Sequence, residues 1–160
     1  MILETQRLYL RNFTLDDVEK DYLYSQEESR KHGIPNEVYK SRRAAKKHVK
    51  AMISWHKTDD YPYVYAVCLK STDEYIGHVG LSGFTEGIEI GYAICEKYQG
   101  RGYATEIVKA YAAWGKTELG LEKIYGLTVP DNIASQKVLL NAGFEPTKDV
   151  SVHGYIAHFI

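Results

Sequence analysis

The chain has 160 residues, of which 44% are hydrophobic and 26% are charged, and its formal net charge at pH 7 is −1. This length suits one domain with a sizeable core, so we predict a single domain spanning residues 1–160. A net charge so close to zero gives no general attraction to nucleic acid or to an acidic membrane. No apolar run approaches the ~20 residues that span a bilayer. We therefore expect neither nucleic acid nor a membrane among the partners.

The cysteines, the histidines and the N-terminal segment indicate a cytoplasmic protein without a metal. Cys68 and Cys95 lack CxxC spacing, which argues against a disulfide scaffold or a zinc site and favours a reducing compartment. The segment MILETQRLYLR carries charges and has no apolar stretch typical of a signal peptide. The 6 histidines show neither an HExxH motif nor paired ligand spacing, so no metal site is expected.

The first part of the chain predicts a strand and two helices. Residues 7–13, RLYLRNF, alternate apolar and polar side chains, as a half-buried strand does. Thr14 then opens a helix, with Asp17 as its capping-box partner. Residues 33–35, GIP, interrupt this region, and Ser41 caps the next helix. The basic residues of that helix fall mostly off its apolar stripe, which indicates a solvated face or, alternatively, a docking surface for an acidic partner.

The second part predicts more strands, with a helix between two of them. YPYVYAVCLK and EYIGHVGLSGF are separated by the turn signal STD and predict a hairpin, and residues 87–95 follow as a third antiparallel strand. A helix is predicted over 103–119, and KIYGLTV is a short buried strand. This strand–helix–strand crossover implies a parallel pair. Asn132 caps a last short helix, and residues 144–160 form one or two closing strands.

The segment QGRGYATE, residues 99–106, places two glycines and an arginine directly before the predicted long helix. A helix N-terminus exposes unpaired N–H groups and the positive end of its dipole, so it binds anions. Gly100 and Gly102 would let a phosphate approach several amides, and Arg101 adds a charge. No Walker A sequence is present, and Thr105 stands where a dinucleotide fingerprint needs its third glycine. A tight turn without a ligand is the remaining alternative.

Three segments together resemble the GCN5-related N-acetyltransferase (GNAT) superfamily. Gln99-Gly-Arg-Gly102-Tyr-Ala104 matches the family's Gln/Arg-x-x-Gly-x-Gly/Ala loop, and NIASQKVLLNAGF matches a second signature at the right distance. The opening ETQRLYLRNFTLDD is similar to the RimJ/RimL branch, which acetylates protein N-termini and related amines. The resemblance implies an α+β, three-layer fold with flanking helices. Its sheet would be mixed, mostly antiparallel and twisted, and splayed between the fourth and fifth strands, here residues 87–95 and 123–129.

The resemblance also implies an enzyme, an N-acetyltransferase with acetyl-CoA as its co-substrate. The acetyl group would pass to a primary amine by direct attack in a ternary complex, with a peptide N-terminus, a polyamine or a small amine as the acceptor. A non-catalytic acyl-CoA-binding or regulatory domain is the alternative, and the protein is expected to be a monomer or a homodimer. The Ile94 N–H would face the thioester carbonyl. The residues implied for coenzyme binding are Tyr92, Ala93, Ile94, Gln99, Gly100, Arg101, Gly102, Tyr103, Ala104, Asn132 and Ser135.

Acetyl transfer to an amine requires a group that takes the amine's proton. Glu89 is the predicted base, directly or through water, because some family members carry a catalytic glutamate close to this position. Strand alternation places Glu89 on the same face as Gly91 and opposite Ile90, unless a β-bulge intervenes, as the resemblance to the family implies for this strand. A carboxylate that only orients the substrate is the alternative. Ser135 is the predicted acid, or the holder of the acid's water, since Leu139 stands where many members have tyrosine; alternatively, Ser135 only satisfies the helix end or contacts coenzyme.

Several further side chains are candidates for the acceptor groove, which we expect between the first two helices, the 87–95 strand and the C-terminal strands. His78 is one, with a packed strand histidine as the alternative. Cys95 is predicted to be buried and structural, and Glu96, where the family often has proline, is expected to have little effect. Candidate wall residues are Tyr22, Tyr24, Tyr39 and Tyr155. The acidic residues Glu19, Asp21, Glu27 and Glu28 indicate either a cationic acceptor or a solvated helix face.

Overall fold

The structure is a computed structural model that describes residues 2–56 and 62–160. Its strands are β1 (Leu3–Glu4), β2 (Leu8–Arg11), β3 (Tyr63–Leu69), β4 (Tyr75–Phe84), β5 (Gly87–Ile94), β6 (Tyr125–Thr128), β7 (Glu145–Thr147) and β8 (Ile156–Phe159). All belong to one 8-stranded sheet in the order β1-β2-β3-β4-β5-β6-β8-β7. The first residue of the predicted hairpin, Tyr61, lies outside the described residues.

Five α-helices accompany the sheet in the described residues: α1 (Val18–Ser25), α2 (Glu28–Gly33), α3 (Arg42–Trp55), α4 (Tyr103–Glu118) and α5 (Ile133–Asn141). Two predicted caps are present, because the Asp17 carboxylate accepts from the Thr14 N–H at 2.8 Å and the Ser41 hydroxyl accepts from the Ala44 N–H at 3.2 Å. The short helix α2 was not predicted, and the chain continues from it into a 3₁₀ turn at Pro35–Glu37.

The sheet confirms the predicted mixed, mostly antiparallel architecture. β1 to β5 pair antiparallel in sequence order, and β5 pairs parallel with β6, as the crossover through α4 implied. Helices α4 and α5 cover one face with a large apolar cluster that includes Ile107 and Tyr111. Helix α3 covers the other face near β3 with a smaller cluster that includes Val49 and Met52. The sheet therefore lies between two helical layers, and its one parallel pair among the described strands is β5 with β6.

β5 and β6 separate soon after they meet. Among the described residues, their pairing is confined to Glu89 opposite Tyr125, although β5 continues to Ile94. The Cys95 N–H donates to the Ile76 carbonyl on the β4 side at 2.9 Å. Because successive N–H groups of a strand point to opposite edges, the Ile94 N–H points into the gap. The splay predicted between these strands is therefore present and exposes backbone donors.

Candidate active site

A cavity of about 790 Å³ occupies the region where β5 and β6 diverge. Its walls come from β4, β5 and β6, the 99–105 loop, α2 with the turn after it, and the first turns of α5. Every predicted coenzyme-binding residue lines this cavity except Arg101. Both predicted catalytic residues, Glu89 and Ser135, also line it. The fold therefore brings together residues that lie more than forty positions apart in the sequence.

The loop before α4 has the backbone that its glycines predicted. Gly100 and Gly102 have φ angles of +70° and +80°, in the left-handed region that side-chain-bearing residues rarely adopt. A Cβ on Gly100 would meet no protein atom within 4 Å, so there is open space beside this residue. The Gln99 side chain fixes the loop by donating to the Ile94 carbonyl at 2.7 Å. Open space at the N-terminus of a 16-residue helix suits a diphosphate, because the first N–H groups of a helix have no partner within the helix.

Hydrogen bonds that the sequence did not predict connect this loop and the start of α4 to the segment between β1 and β2. Glu106, in the first turn of α4, accepts from the Arg7 N–H at 2.9 Å, from Arg7 Nε at 2.7 Å and from the Thr5 hydroxyl at 2.6 Å. Arg7 also donates to the Arg101 carbonyl at 2.9 Å and lies 4.4 Å above the Tyr103 ring. Burial acts to raise the pKa of Glu106, but the hydrogen bonds from Thr5 and Arg7 outweigh this effect and lower the pKa. Arg7 therefore joins β2 to both the loop and the helix.

The start of α5 forms the opposite wall. The Asn132 Oδ1 accepts from the Ser135 N–H at 3.1 Å, which confirms the predicted cap. The Tyr92 hydroxyl donates to the Ser135 carbonyl at 3.2 Å and so ties β5 to α5. Leu139 is 1% exposed, and a Cβ on Gly126 would lie 2.6 Å from its side chain, so Leu139 is a packed core residue. On this wall of the cavity, Ser135 rather than residue 139 therefore supplies a hydroxyl group.

Glu89 lies on the predicted face of β5. Ser82 pairs with Glu89 and Gly80 with Gly91 in a continuous register, so no bulge intervenes between β4 and β5. The carboxyl group is half-buried and bonds to none of the described residues, and burial raises its pKa. Glu89 is five residues from Ile94, and five extended residues span about 17 Å. Its carboxylate is thus far from the Ile94 N–H.

A charge cluster of Arg30, Glu37 and His78 lines the cavity where α2 and the turn after it meet β4. Glu37 accepts from Arg30 Nη1 at 2.8 Å, and its same oxygen lies 3.2 Å from the Nε2 of His78. Burial acts to raise the pKa of Glu37, but His78 and Arg30 outweigh this effect and lower the pKa to about 2. The carboxylate is therefore ionised. His78 thus lines the cavity and is also buried. Sequence reasoning missed Arg30 and Glu37 because α2 was not predicted.

Three of the four candidate wall tyrosines are placed elsewhere. Tyr155 lines the cavity, as predicted. Tyr24 instead packs against Tyr75 and donates to its carbonyl at 3.3 Å. Tyr39 is buried and bonds to His48, while Tyr22 lies under the guanidinium of Arg42. The prediction was wrong for these three because α2 and its following turn, rather than α1 and α3, form this side of the groove.

The acidic residues proposed to attract a cationic acceptor have structural partners. Glu19 binds Arg42, Asp21 accepts from the Tyr75 hydroxyl, and Glu28 binds Lys31. Glu27 accepts from the Glu96 N–H at 2.9 Å, and the Glu96 carboxylate accepts from the Ser29 N–H at 2.8 Å. None of these acids lines the cavity. Glu96, expected to matter little, instead fastens the start of α2 to the end of β5.

The remaining predicted features concern sulfur, metals and membranes. Cys95 is buried, and burial raises the pKa of its thiol to about 11, so it is no thiolate nucleophile at neutral pH. Within residues 2–56 and 62–160, no three His, Cys, Asp or Glu side chains are grouped so as to hold a metal ion. Over the same residues, no helix is both long and apolar enough to cross a membrane.

An open mixed sheet that splits beside a glycine-rich helix N-terminus defines the class of GNAT-type acetyltransferases. The chain belongs to the GNAT acetyltransferase family, since the family model described as "Acetyltransferase (GNAT) domain" matches residues 7–145. It is 30% identical over 145 residues to "Uncharacterized N-acetyltransferase YnaD" of Bacillus subtilis (strain 168), covering 89% of this chain and 82% of that protein. A second relative from that organism, "Uncharacterized N-acetyltransferase YoaA", is 30% identical over 155 residues, covering 90% of this chain and 82% of that protein.

Solved structures confirm the fold. A GNAT-family acetyltransferase from Bacillus anthracis superimposes with a TM-score of 0.81 at 23% identity, covering 99% of this chain and 96% of that one. RimL, a ribosomal L7/L12 alpha-N-protein acetyltransferase in complex with coenzyme A, superimposes with a TM-score of 0.81 at 18% identity. The match covers 99% of this chain and 96% of that one. Together with the family match, the relatives identify this protein as an N-acetyltransferase of the GNAT family.

Proposed function

We propose that this N-acetyltransferase uses acetyl-CoA and acetylates a primary amine by direct attack within a ternary complex. The observation that carries the proposal is the open, left-handed glycine loop at the start of α4, beside a gap into which the Ile94 N–H points. The loop fits a diphosphate, and the gap fits an extended arm that pairs with a strand edge. The RimL structure that shares this fold contains coenzyme A, which supports the same ligand here.

The coenzyme would lie across both halves of the split sheet. Its diphosphate accepts from the amides of residues 100–104, and its pantetheine arm follows the β5 edge past Tyr92 and Ala93. Because the Asn132 Oδ1 already caps α5, its amide nitrogen remains to donate to the arm from the other side. Arg101, outside the cavity lining, would add charge at the loop's outer edge.

The reaction sets three chemical demands. A lysine amine has a pKa near 10.4 and an α-amino group near 7.7–8.0, so a proton must leave the nucleophile. Given its separation from Ile94, Glu89 can take this proton only through a chain of water molecules. The Ile94 N–H stabilises negative charge that develops on the thioester oxygen. The new N–C bond forms as the C–S bond breaks, and the thiolate receives a proton from Ser135 or from water held by Ser135.

The acceptor class is tested by a panel of amines. Purified protein is mixed with acetyl-CoA and peptides with free N-termini, polyamines or small amines, and released thiol is measured. We expect CoA release with at least one class. Calorimetry that detects no heat with acetyl-CoA would overturn the proposal, and binding without thiol release on any amine would identify a non-catalytic acyl-CoA-binding domain instead.

A pair of glycine variants tests the phosphate loop. Gly100→Ala and Gly120→Ala both place a side chain at positive φ, +70° and +66°, in open space. Each should therefore cost about 1–2 kcal/mol of stability. Gly100→Ala alone should weaken acetyl-CoA binding, since Gly120 lies outside the cavity lining. Equal affinity in the two variants would show that the loop does not hold the diphosphate.

A further inference from the structure

Two acids in the described part of the chain line the cavity, Glu37 and Glu89, and their surroundings differ. Glu37 binds the guanidinium of Arg30 at 2.8 Å and lies 3.2 Å from the His78 ring, so its charge is offset within the protein. Glu89 has no such partner among the described residues, and burial is the one influence on its pKa. Glu89 is therefore the cavity carboxylate whose charge no described group offsets.

The Glu89 carboxylate can be reached from the cavity. The residue is half-buried, and its oxygens are not among the fully buried polar atoms that lack a partner, in contrast to Nδ1 of His78. Glu89 pairs with Ser82 on β4 and with Tyr125 on β6, and neither of these is a cation. A partly desolvated carboxylate of this kind is stabilised by a cation that enters the cavity and donates hydrogen bonds to it.

A trough of small residues, formed by Gly80, Gly91 and Ala93, leads along the sheet from Glu89 toward Ile94. Gly91 and Ala93 follow Glu89 on the same face of β5, and Gly80 is the β4 partner of Gly91. All three line the cavity. A Cβ on Gly91 would meet no protein atom within 4 Å, so the trough is open at its middle. This shape leaves room for an unbranched chain that lies extended along β5.

Strand geometry sets the distance between the two ends of the trough. Five residues separate Ile94 from Glu89, which is about 17 Å along an extended strand. With the thioester carbonyl at the Ile94 N–H, the Glu89 side chain and the reacting group each occupy part of this length. About 10–14 Å then remain between the reacting nitrogen and the carboxylate. A linear polyamine spans this distance, and so does an extended peptide of about three or four residues.

We propose that the acceptor is an elongated dication, whose second cationic group binds Glu89 while its first amine attacks the thioester; this rests on the proposed function. A linear polyamine has this chemistry, as does a peptide with a basic side chain near its free N-terminus. An amine with a pKa near 10.4 is protonated at pH 7, so the distant group is a cation. Glu89 thus determines acceptor specificity, a role that requires contact with the distant group alone.

The test compares pairs of acceptors of equal length. Each pair is a linear α,ω-diamine and the amino alcohol that carries a hydroxyl group in place of the second amine. For diamines whose nitrogens are about 10–14 Å apart, we expect the wild-type kcat/KM to exceed that of the amino alcohol about 10–100-fold. This is the effect of one hydrogen bond to a charged group. Diamines too short to reach Glu89 should show no such preference.

Glu89→Gln should abolish the preference for the long diamine. Because the ratio compares two acceptors on the same variant, any effect of Glu89 on proton transfer cancels. If the variant turns over too slowly, calorimetry of each acceptor with the CoA-bound protein gives the same ratio as dissociation constants. Glu86→Gln is the matched control, since Glu86 accepts from the Ser151 N–H at 3.2 Å and does not line the cavity. It should keep the wild-type preference.

A pair of tetrapeptides with free N-termini, one ending in lysine and one in norleucine, separates the two sources of the second charge. A preference for lysine without one for diamines would identify a peptide acceptor, and the reverse would identify a polyamine. The inference is wrong if the wild-type protein prefers the charged member of neither series, if Glu89→Gln keeps the preference, or if Glu86→Gln loses it equally. If the wild-type protein releases thiol with no amine, the proposed function itself fails.

Discussion

Glu89 illustrates how the burial of one carboxyl group affects stability. Its carboxyl group is half-buried without a partner among the described residues, and burial raises its pKa. The folded chain therefore holds this proton more tightly than the unfolded chain does. Stability falls as pH rises from the ordinary value of 4.5 through the folded pKa, because ionisation in the cavity is unfavourable. An ionisable group that is half-buried in a cavity therefore lowers stability at neutral pH.

Replacing Glu89 with glutamine should therefore stabilise the protein at pH 7 while it lowers turnover. Thermal unfolding of both proteins at pH 7 and pH 4 measures the effect. A Tm gain of about 2–4 °C would correspond to 1 kcal/mol in a chain of this size. The gain should shrink at pH 4, where Glu89 is mostly protonated in both the folded and the unfolded chain. An equal difference at both pH values would show that ionisation is not its cause.

At the scale of elements, the hairpin of β4 and β5 forms a groove floor of small residues. Gly80 and Gly91 face each other across these strands but differ in their surroundings. A Cβ on Gly80 would lie 2.8 Å from the Val64 side chain, whereas one on Gly91 would meet no protein atom within 4 Å. Gly80 thus permits close packing, whereas Gly91 leaves open space in the cavity.

Gly91→Leu should exclude larger amines from this space. We expect kcat/KM for bulky acceptors to fall at least about 10-fold, with acetyl-CoA affinity retained, because about 1.4 kcal/mol of steric repulsion is enough. Gly83→Leu is the control, since Gly83 also lies in open strand space but does not line the cavity. The same loss for small and large amines would indicate a damaged strand rather than a narrowed groove.

For the molecule as a whole, helix α2 spans the break in the sheet. Its Ser29 bonds to Glu96 and Gln99 at the end of β5, and its His32 lies 3.3 Å from Asp131, which follows β6. Gly33, at its end, lies against Asn132. The two halves of the sheet are therefore joined at the Glu89–Tyr125 pairing and again through α2. A coenzyme that binds both halves should stabilise the entire fold.

Acetyl-CoA should accordingly raise the melting temperature. At 100 times Kd, binding contributes about 2.7 kcal/mol, which is a Tm increase of about 5–10 °C for this chain length. Differential scanning fluorimetry measures the shift, and Gly100→Ala should show a smaller one at the same concentration. Hydrogen exchange at the Ile94 amide should slow in the complex. A Tm shift without that protection would place the ligand outside the gap.

Local patterns were sufficient for much of the fold and for the glycine loop before α4. The Thr14–Asp17 box and the Ser41 cap join residues three positions apart, so sequence spacing alone reveals them. The face of Glu89 follows from strand alternation, which has a period of two. The positive φ angles at Gly100 and Gly102 follow from the absence of a side chain.

Contacts between distant segments were beyond such patterns. Glu106 and Arg7 are 99 positions apart, and neither residue carries a local sign of the other. Glu37 meets His78 only because the unpredicted helix α2 turns back over β4. Tyr22, Tyr24 and Tyr39 were wrongly placed for the same reason, since the path of the chain after α1 decides which side chains face the groove.

The amino-acid sequence by itself determined the strands, the main helices, their caps and the glycine loop, because short-range sterics and hydrogen bonding fix these within a few residues. Only the tertiary structure decided which side chains share the cavity and which acids are already engaged elsewhere. Packing of α2 against the split sheet turned a strand histidine into a group beside the gap. That outcome depends on the sum of many weak, long-range contacts, and no local stretch of sequence encodes it.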